Sequence, residues 1–148
     1  MIAIKTGVAV SLTLGALLAA SAAAPAAEPE KLVTQHSASF GTYLSDDDGH
    51  AAYLFTADSK GKSVCEGACA KAWPPMMTSG APVAGPGVDA KLLGTIPRGG
   101  GMQVTYDGMP LYYYVGDNGA GSTAGEGIKH FGGEWYLLAP NGGKIDND

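Results

Sequence analysis

The segment Gly49 to Ser63 occurs twice in this chain. Laid over Gly108 to Ser122 it matches without a gap, placing Tyr53 on Tyr112, Phe55 on Tyr114, Asp58 on Asp117 and Ser63 on Ser122. Each copy follows an Asp-Gly pair and reads Tyr-x-aromatic-x-x-Asp. Trp73 and Trp135 also correspond if the second copy carries a three-residue insertion. Such self-similarity marks one supersecondary unit used twice. A lone hairpin unit cannot bury enough surface to be stable. The two copies are therefore expected to be halves of one domain that share an aromatic core.

The N-terminus reads as a leader. Lys5 supplies a short positive region, Val8 to Ala20 is an apolar run, and Ala24-Pro25-Ala26 has the A-x-A shape of a signal-peptidase site. The run is shorter than the roughly 20 residues a membrane span needs. Residues 1–26 are thus expected to be a signal peptide, with an uncleaved anchor as the alternative. Residues 27–148 are expected to form a single domain: repeat one about 40–75, crossover about 76–100, repeat two about 101–143. No cysteine lies near the junction, so no lipid anchor is expected there. Nine basic against fourteen acidic residues give a net charge of −5. That disfavours nucleic acid, whose binding needs a basic patch.

Frequent glycine between short runs of valine, tyrosine and leucine points to short strands joined by turns. Leu32–Thr34 and Phe40–Leu44 read as strands, and Asp48-Gly49 as a hairpin turn. Ala51–Thr56 returns as a strand with Tyr53 and Phe55 on one face and Leu54 on the other. Ser63-Val-Cys-Glu66 has the form of a capping box, which predicts one short helix near residues 64–72, ended by Pro74. Pro74 to Pro97 reads as an irregular crossover, with a short strand at Leu92–Ile96, and Arg98-Gly-Gly-Gly101 as a flexible joint. The second unit runs from Met102 to Tyr106, turns at Asp107-Gly108 and returns through Leu111 to Val115. A glycine-rich loop then leads to a last strand at Trp135–Ala139. The predicted fold is all-β: two pseudo-repeated antiparallel units packed as one sandwich or closed into a small barrel.

Five motifs, in order, carry a resemblance: Tyr53 to Asp58, Gly61 to Cys69, Ala72-Trp-Pro-Pro75, Pro110 to Asp117 and Gly132 to Tyr136. Together they resemble the bacterial "secreted repeat of unknown function" family, also described as predicted lipoproteins with a Tyr-x-(Phe/Trp/Tyr)-x-x-Asp motif. The match covers roughly Gly41 to Gly143. It implies an exported bacterial protein with two motif copies and no established biochemical activity. The chain departs from the lipoprotein description in lacking a lipobox cysteine, which favours a free periplasmic or secreted form.

Candidate sites are few. Cys65 and Cys69 are the only cysteines, and an even number in an exported chain suggests a disulfide. A structural bridge, a reducible bridge used for thiol chemistry and a metal site all remain open for this pair. His50 and Met109 occupy equivalent repeat positions and are the candidates for a soft-metal site. Asp46-Asp-Asp48 has oxygen ligands for calcium, but its more natural role is a solvated hairpin turn. Asp58 and Asp117 each begin a turn and are expected to cap backbone amides rather than to act as an acid/base pair. Tyr53, Phe55, Tyr112, Tyr114, Trp73 and Trp135 read as core, with an aromatic ligand platform as the alternative. The loop from Gly116 to Gly127 lacks the Gly-Lys-Ser/Thr of a phosphate cradle. No catalytic constellation is visible. The expectation is a non-enzymatic exported binding or interaction module without a cofactor. The alternative is an envelope redox or metal-handling (copper or haem) accessory protein using Cys65 and Cys69. Envelope proteins are the partner class that either would meet.

Overall fold

The computed structural model describes Ser21, Ala23 and residues 27–147. The expected leader, apart from Ser21 and Ala23, lies outside the described residues. In chain order the elements are β1 (Lys31–Ser37), β2 (Gly41–Asp46), β3 (Tyr53–Phe55), α1 (Ala68–Ala72), β4 (Met77–Thr78), β5 (Val83–Ala84), β6 (Leu93–Arg98), β7 (Gly101–Tyr106), β8 (Met109–Pro110), β9 (Ile128–His130) and β10 (Gly133–Leu137). The predicted all-β architecture with one short helix is present. The strands form three small sheets, ordered β2-β1-β5, β3-β10-β9 and β4-β7-β6, with β8 added to β7. The sheets do not close into a barrel. All strand pairings are antiparallel except that of β5 with β1.

The two repeats meet at Tyr53 and Tyr112. Tyr53 N donates to Tyr112 O at 2.9 Å, and Tyr112 N to Tyr53 O at 3.0 Å. Around this pair the backbone bonds come in matched sets. Ala52 N donates to Leu44 O in the first copy and Leu111 N to Val104 O in the second, both at 3.0 Å. The segment after each tryptophan then crosses to the other copy. Met76 N donates to Leu111 O, and Pro75 faces Tyr112. Correspondingly, Leu138 O accepts from Leu44 N, and Leu137 faces Tyr53 within the β3–β10 pairing. The repeats are related by an approximate two-fold axis and have exchanged strands across it.

Period-two alternation sorts β3 between two cores, as expected. Tyr53 and Phe55 enter a cluster with Trp73, Tyr112, Trp135 and both cysteines. Leu54 enters a second cluster with Leu44, Val104, Leu111 and Leu138. Each residue of this strand is therefore buried on one side or the other.

Three local expectations are corrected. The helix is shorter than residues 64–72: it begins at Ala68, with Gly67 at the cap position and no side-chain cap. Ser63 lies five residues ahead of it: locally its hydroxyl accepts only from Cys65 N, at 3.3 Å, and it also lies 2.5 Å from the Tyr112 hydroxyl and accepts from Arg98 at 2.6 Å. The Arg98–Gly101 segment is a tight β6–β7 turn and not a flexible joint. Arg98 pairs with Gly101, and Gly99 and Gly100 have φ of 53° and 81°, the left-handed pair that a two-residue hairpin turn requires. The crossover over residues 76–100 is ordered by pairing: β4 joins β7, β5 extends β1, and Gly85 N donates to Leu32 O at 2.7 Å.

Gly125 shows how closely the glycine-rich loop is packed. A Cβ there would stand 2.8 Å from Tyr53 Cζ and 2.9 Å from Trp73 Cη2, both in rings fixed by the core. Gly125→Ala should cost about 1–3 kcal/mol by overpacking. Gly80→Ala, whose nearest neighbour is Pro29 Cγ at 4.0 Å, should stay within about 0.5 kcal/mol. Urea denaturation of the two variants checks the contrast.

Candidate functional site

The motif residues form a reciprocal exchange. Tyr53 of the first repeat donates its hydroxyl to Asp117 Oδ2 of the second at 2.9 Å, and Tyr112 of the second donates to Asp58 Oδ2 of the first at 2.6 Å. Each aspartate uses its other oxygen to organise the loop after it. Asp58 Oδ1 accepts from Val64 N at 2.7 Å. Asp117 Oδ1 accepts from Ala124 N at 2.8 Å and from the Ser122 hydroxyl at 3.1 Å. Burial first, and the facing carboxylate second, hold both tyrosines protonated well above the ordinary phenol range. Burial also raises the Asp58 carboxyl, opposed by the Tyr112 hydroxyl, the Val64 amide and the Arg98 charge. These groups lock a turn and a repeat interface, as the capping expectation for Asp58 and Asp117 has it.

The aromatic residues complete that interface. Phe55, Trp135, Trp73 and Tyr114 stack in that order, with centroid separations of 4.1, 4.0 and 4.2 Å. The rings alternate between repeats, one, two, one, two. Tyr53 meets Trp73 edge-on at 5.5 Å, and Tyr112 meets Trp135 edge-on at 5.1 Å. Both tryptophans are fully buried, so this stack is core and presents no open ligand platform.

Cys65 and Cys69 form a disulfide with Cα atoms 5.2 Å apart. Only Cys69 is helical, so the pair is freed from the wider spacing of two helical positions four apart. Both cysteines are buried in the first core cluster, and Arg98 donates to the Cys65 carbonyl. Arg98 also reaches Ser63 and Gln103, bracing the segment before the helix from the β6–β7 turn. That role was hidden in the sequence, since it depends on how far the turn folds back.

One feature not absorbed by the fold is a cleft of about 430 Å³ lined by Glu30, Asp46, Asp48, His50, Tyr113, Tyr114 and Asp117. The β2–β3 turn supplies three of these. Asp46 is buried at the end of β2, and its Oδ1 accepts from His50 N at 2.8 Å. Its Oδ2 accepts from the Tyr113 hydroxyl at 3.1 Å and lies 3.1 Å from His50 Nδ1. Ligand atoms of Asp46, Asp48 and His50 all fall within 4.8 Å of one another. The Asp46–Asp48 stretch is thus the expected hairpin turn and a convergent donor set at once. Burial, then Asp46, Asp47 and Asp48, push the Glu30 carboxyl above its usual range. Burial likewise, with Glu30 and Asp46 adding to it, holds the Tyr113 hydroxyl protonated. Met109 lies in β8, packed against the second core cluster, and is not among the residues that line the cleft with His50. Glu30 and Tyr113 escaped the sequence reading. Glu30 sits in the lead-in before β1 with no local signal. Tyr113 stands between the motif residues Tyr112 and Tyr114, and alternation alone turns it to the opposite side.

Tyr112→Phe should lower stability by about 1–3 kcal/mol, because it strips a hydroxyl from a buried carboxylate. Tyr53→Phe should cost a similar amount: half-buried Asp117 keeps two other donors, but the buried Gly125 amide loses its acceptor. Paired thermal unfolding of the two variants checks both losses.

No curated protein and no solved structure matches the chain significantly. A family model described as a secreted repeat of unknown function does, twice, over residues 36–77 and 94–139. The first match contains Tyr53, Phe55, Asp58 and Trp73, and the second contains Tyr112, Tyr114, Asp117 and Trp135. The two matches cover the hairpins, the exchanged hydroxyls and the ring stack, and together they take in more than half of the chain: the protein belongs to this family of secreted repeats.

Proposed function

We propose that this exported protein is a non-catalytic binding module and that its ligand, a cationic one, enters the acidic cleft. The observation that carries this reading is the charge of the lining. Four carboxylates and one imidazole face the cleft, and no lysine or arginine does. Elsewhere the chemistry-bearing groups are used by the fold: Tyr53, Tyr112 and Asp58 are satisfied by their partners and loops, and Asp117 is the one cleft carboxylate that shares in that exchange. A carboxylate cluster with no basic side chain in its lining, against a half-buried wall, is a standing electrostatic cost that a cation relieves. The cleft volume lies within the range of small-ligand sites, about 300–1,000 Å³. Cleavage near Ala26, without a lipid anchor, would release the module into the periplasm or outside the cell.

The redox alternative draws less support. Thiol chemistry requires an accessible, reactive sulfur, and Cys65 and Cys69 are 0% and 5% exposed. The bridge fits a structural role in fixing the approach to α1.

A thermal-shift panel tests the proposal. The probes are divalent metal chlorides, putrescine and spermidine, with citrate and inorganic phosphate as anionic controls. At least one cation should raise the melting temperature, and Glu30→Gln should diminish that shift. No shift with any cation, or a shift equally large in Glu30→Gln and with the anions, contradicts it.

A further inference from the structure

We infer that the cleft is a metal site, taking one first-row divalent transition ion on Asp46, Asp48 and His50. This deepens the cationic-ligand reading and rests on it. The donor set is mixed and built, and it is more than a run of acids on a turn. An imidazole nitrogen lies 3.1 Å from Asp46 Oδ2, and the Asp48 carboxylate falls within the same 4.8 Å sphere. For metal–ligand bonds of about 2.1 Å, neighbouring donors on an octahedron stand about 3 Å apart. The His50–Asp46 separation already equals that edge. The ion sits between Nδ1 and Oδ2, and a proton held on Nδ1 leaves to solvent as the ion binds.

The chemistry of the set selects the class of ion. One imidazole with two carboxylates suits manganese, iron, cobalt, nickel or zinc better than calcium, which prefers six to eight oxygens. Copper(I) wants soft sulfur donors, and neither Met109 nor another sulfur residue lines the cleft. Asp46 is already oriented to ligate, since its Oδ1 is held by the His50 amide and Tyr113 donates to Oδ2. Tyr113 is thus a positioning residue for a ligating carboxylate, the arrangement in which outer partners commonly change affinity about 10–100-fold. Asp48 is exposed and the His50 side chain is 45% exposed, so the ion has a route in from solvent. The remaining cleft volume holds the water that completes its coordination.

The test is titration of the untagged protein with cobalt(II), followed by calorimetry, visible absorption and proton NMR. One ion should bind per chain, and the ring protons of His50 should show the large contact shifts of a ligating imidazole while those of His36 and His130 do not. Asp48→Asn, an exposed change, should weaken binding more than 10-fold with the melting temperature of the apo-protein unchanged; His50→Ala should weaken binding as much, and is read on affinity alone because it also takes a partner from buried Asp46. Tyr113→Phe should weaken cobalt about 10–100-fold while leaving the His50 shift in place. Cobalt binding that survives His50→Ala and Asp48→Asn, or perturbs His36 or His130 instead, overturns the inference. If putrescine or spermidine binds in the cleft and no transition metal does, the metal assignment falls and the cationic-ligand proposal stands. If neither binds, both fall.

Discussion

Two tyrosine hydroxyls, each given to the aspartate of the other repeat, are what this structure depends on. A buried carboxylate without donors is costly, and a buried phenol needs an acceptor. The exchange of Tyr53 with Asp117 and of Tyr112 with Asp58 meets both needs across the repeat interface. Within either repeat alone the same four groups would lack these partners. The ring stack adds a second reason, since each tryptophan is sandwiched between rings of the opposite copy or the opposite tryptophan. The motif Tyr-x-aromatic-x-x-Asp is thus an interface rule. The tyrosine crosses over, the second aromatic joins the stack, and the aspartate accepts the incoming hydroxyl while capping its own loop.

From that rule the rest of the architecture follows. Strands after each tryptophan cross with the side chains, so β10 pairs with β3 and Pro75 faces Tyr112. The glycine-rich loop stands where the first repeat has its cysteines, and Asp117 and Tyr53 fix it as Asp58 fixes Val64. The symmetric frame is filled by its own contacts. Asymmetry is left at the repeat edges, and the acidic cleft lies there. It combines the lead-in residue Glu30, the β2–β3 turn and Tyr113. The corresponding turn in the second repeat is only Asp107-Gly108, with Met109 in place of His50, so it has no equivalent donor set.

Much of this frame was legible in the residues. The gapless match of Tyr53 to Tyr112 and of Asp58 to Asp117 announced the repeat, and alternation in Tyr53-Leu-Phe55 divided the two cores correctly. The exchange itself was not legible, because a motif shows which residues recur and not which copy they bind. Ser63-Val-Cys-Glu66 misled for a related reason: the serine keeps a single local bond, from Cys65 N, and shares its hydroxyl with the long-range partners Tyr112 and Arg98. Arg98-Gly-Gly-Gly101 looked flexible by composition, yet two left-handed glycines make it a tight turn. The cleft was half visible. Asp46, Asp48 and His50 are close in sequence, but Glu30 and Tyr113 join them only through the fold.

Native-state hydrogen exchange measures the central claim most directly. If the repeats are obligate halves, the amides of Leu44, Tyr53, Met76 and Tyr112, all bonded from one repeat to the other, should open only by global unfolding. They should then share one opening free energy equal to the stability from denaturation. A distinctly lower opening energy for the amides of one repeat, with the other still protected, would show that a repeat stands alone and would contradict the account.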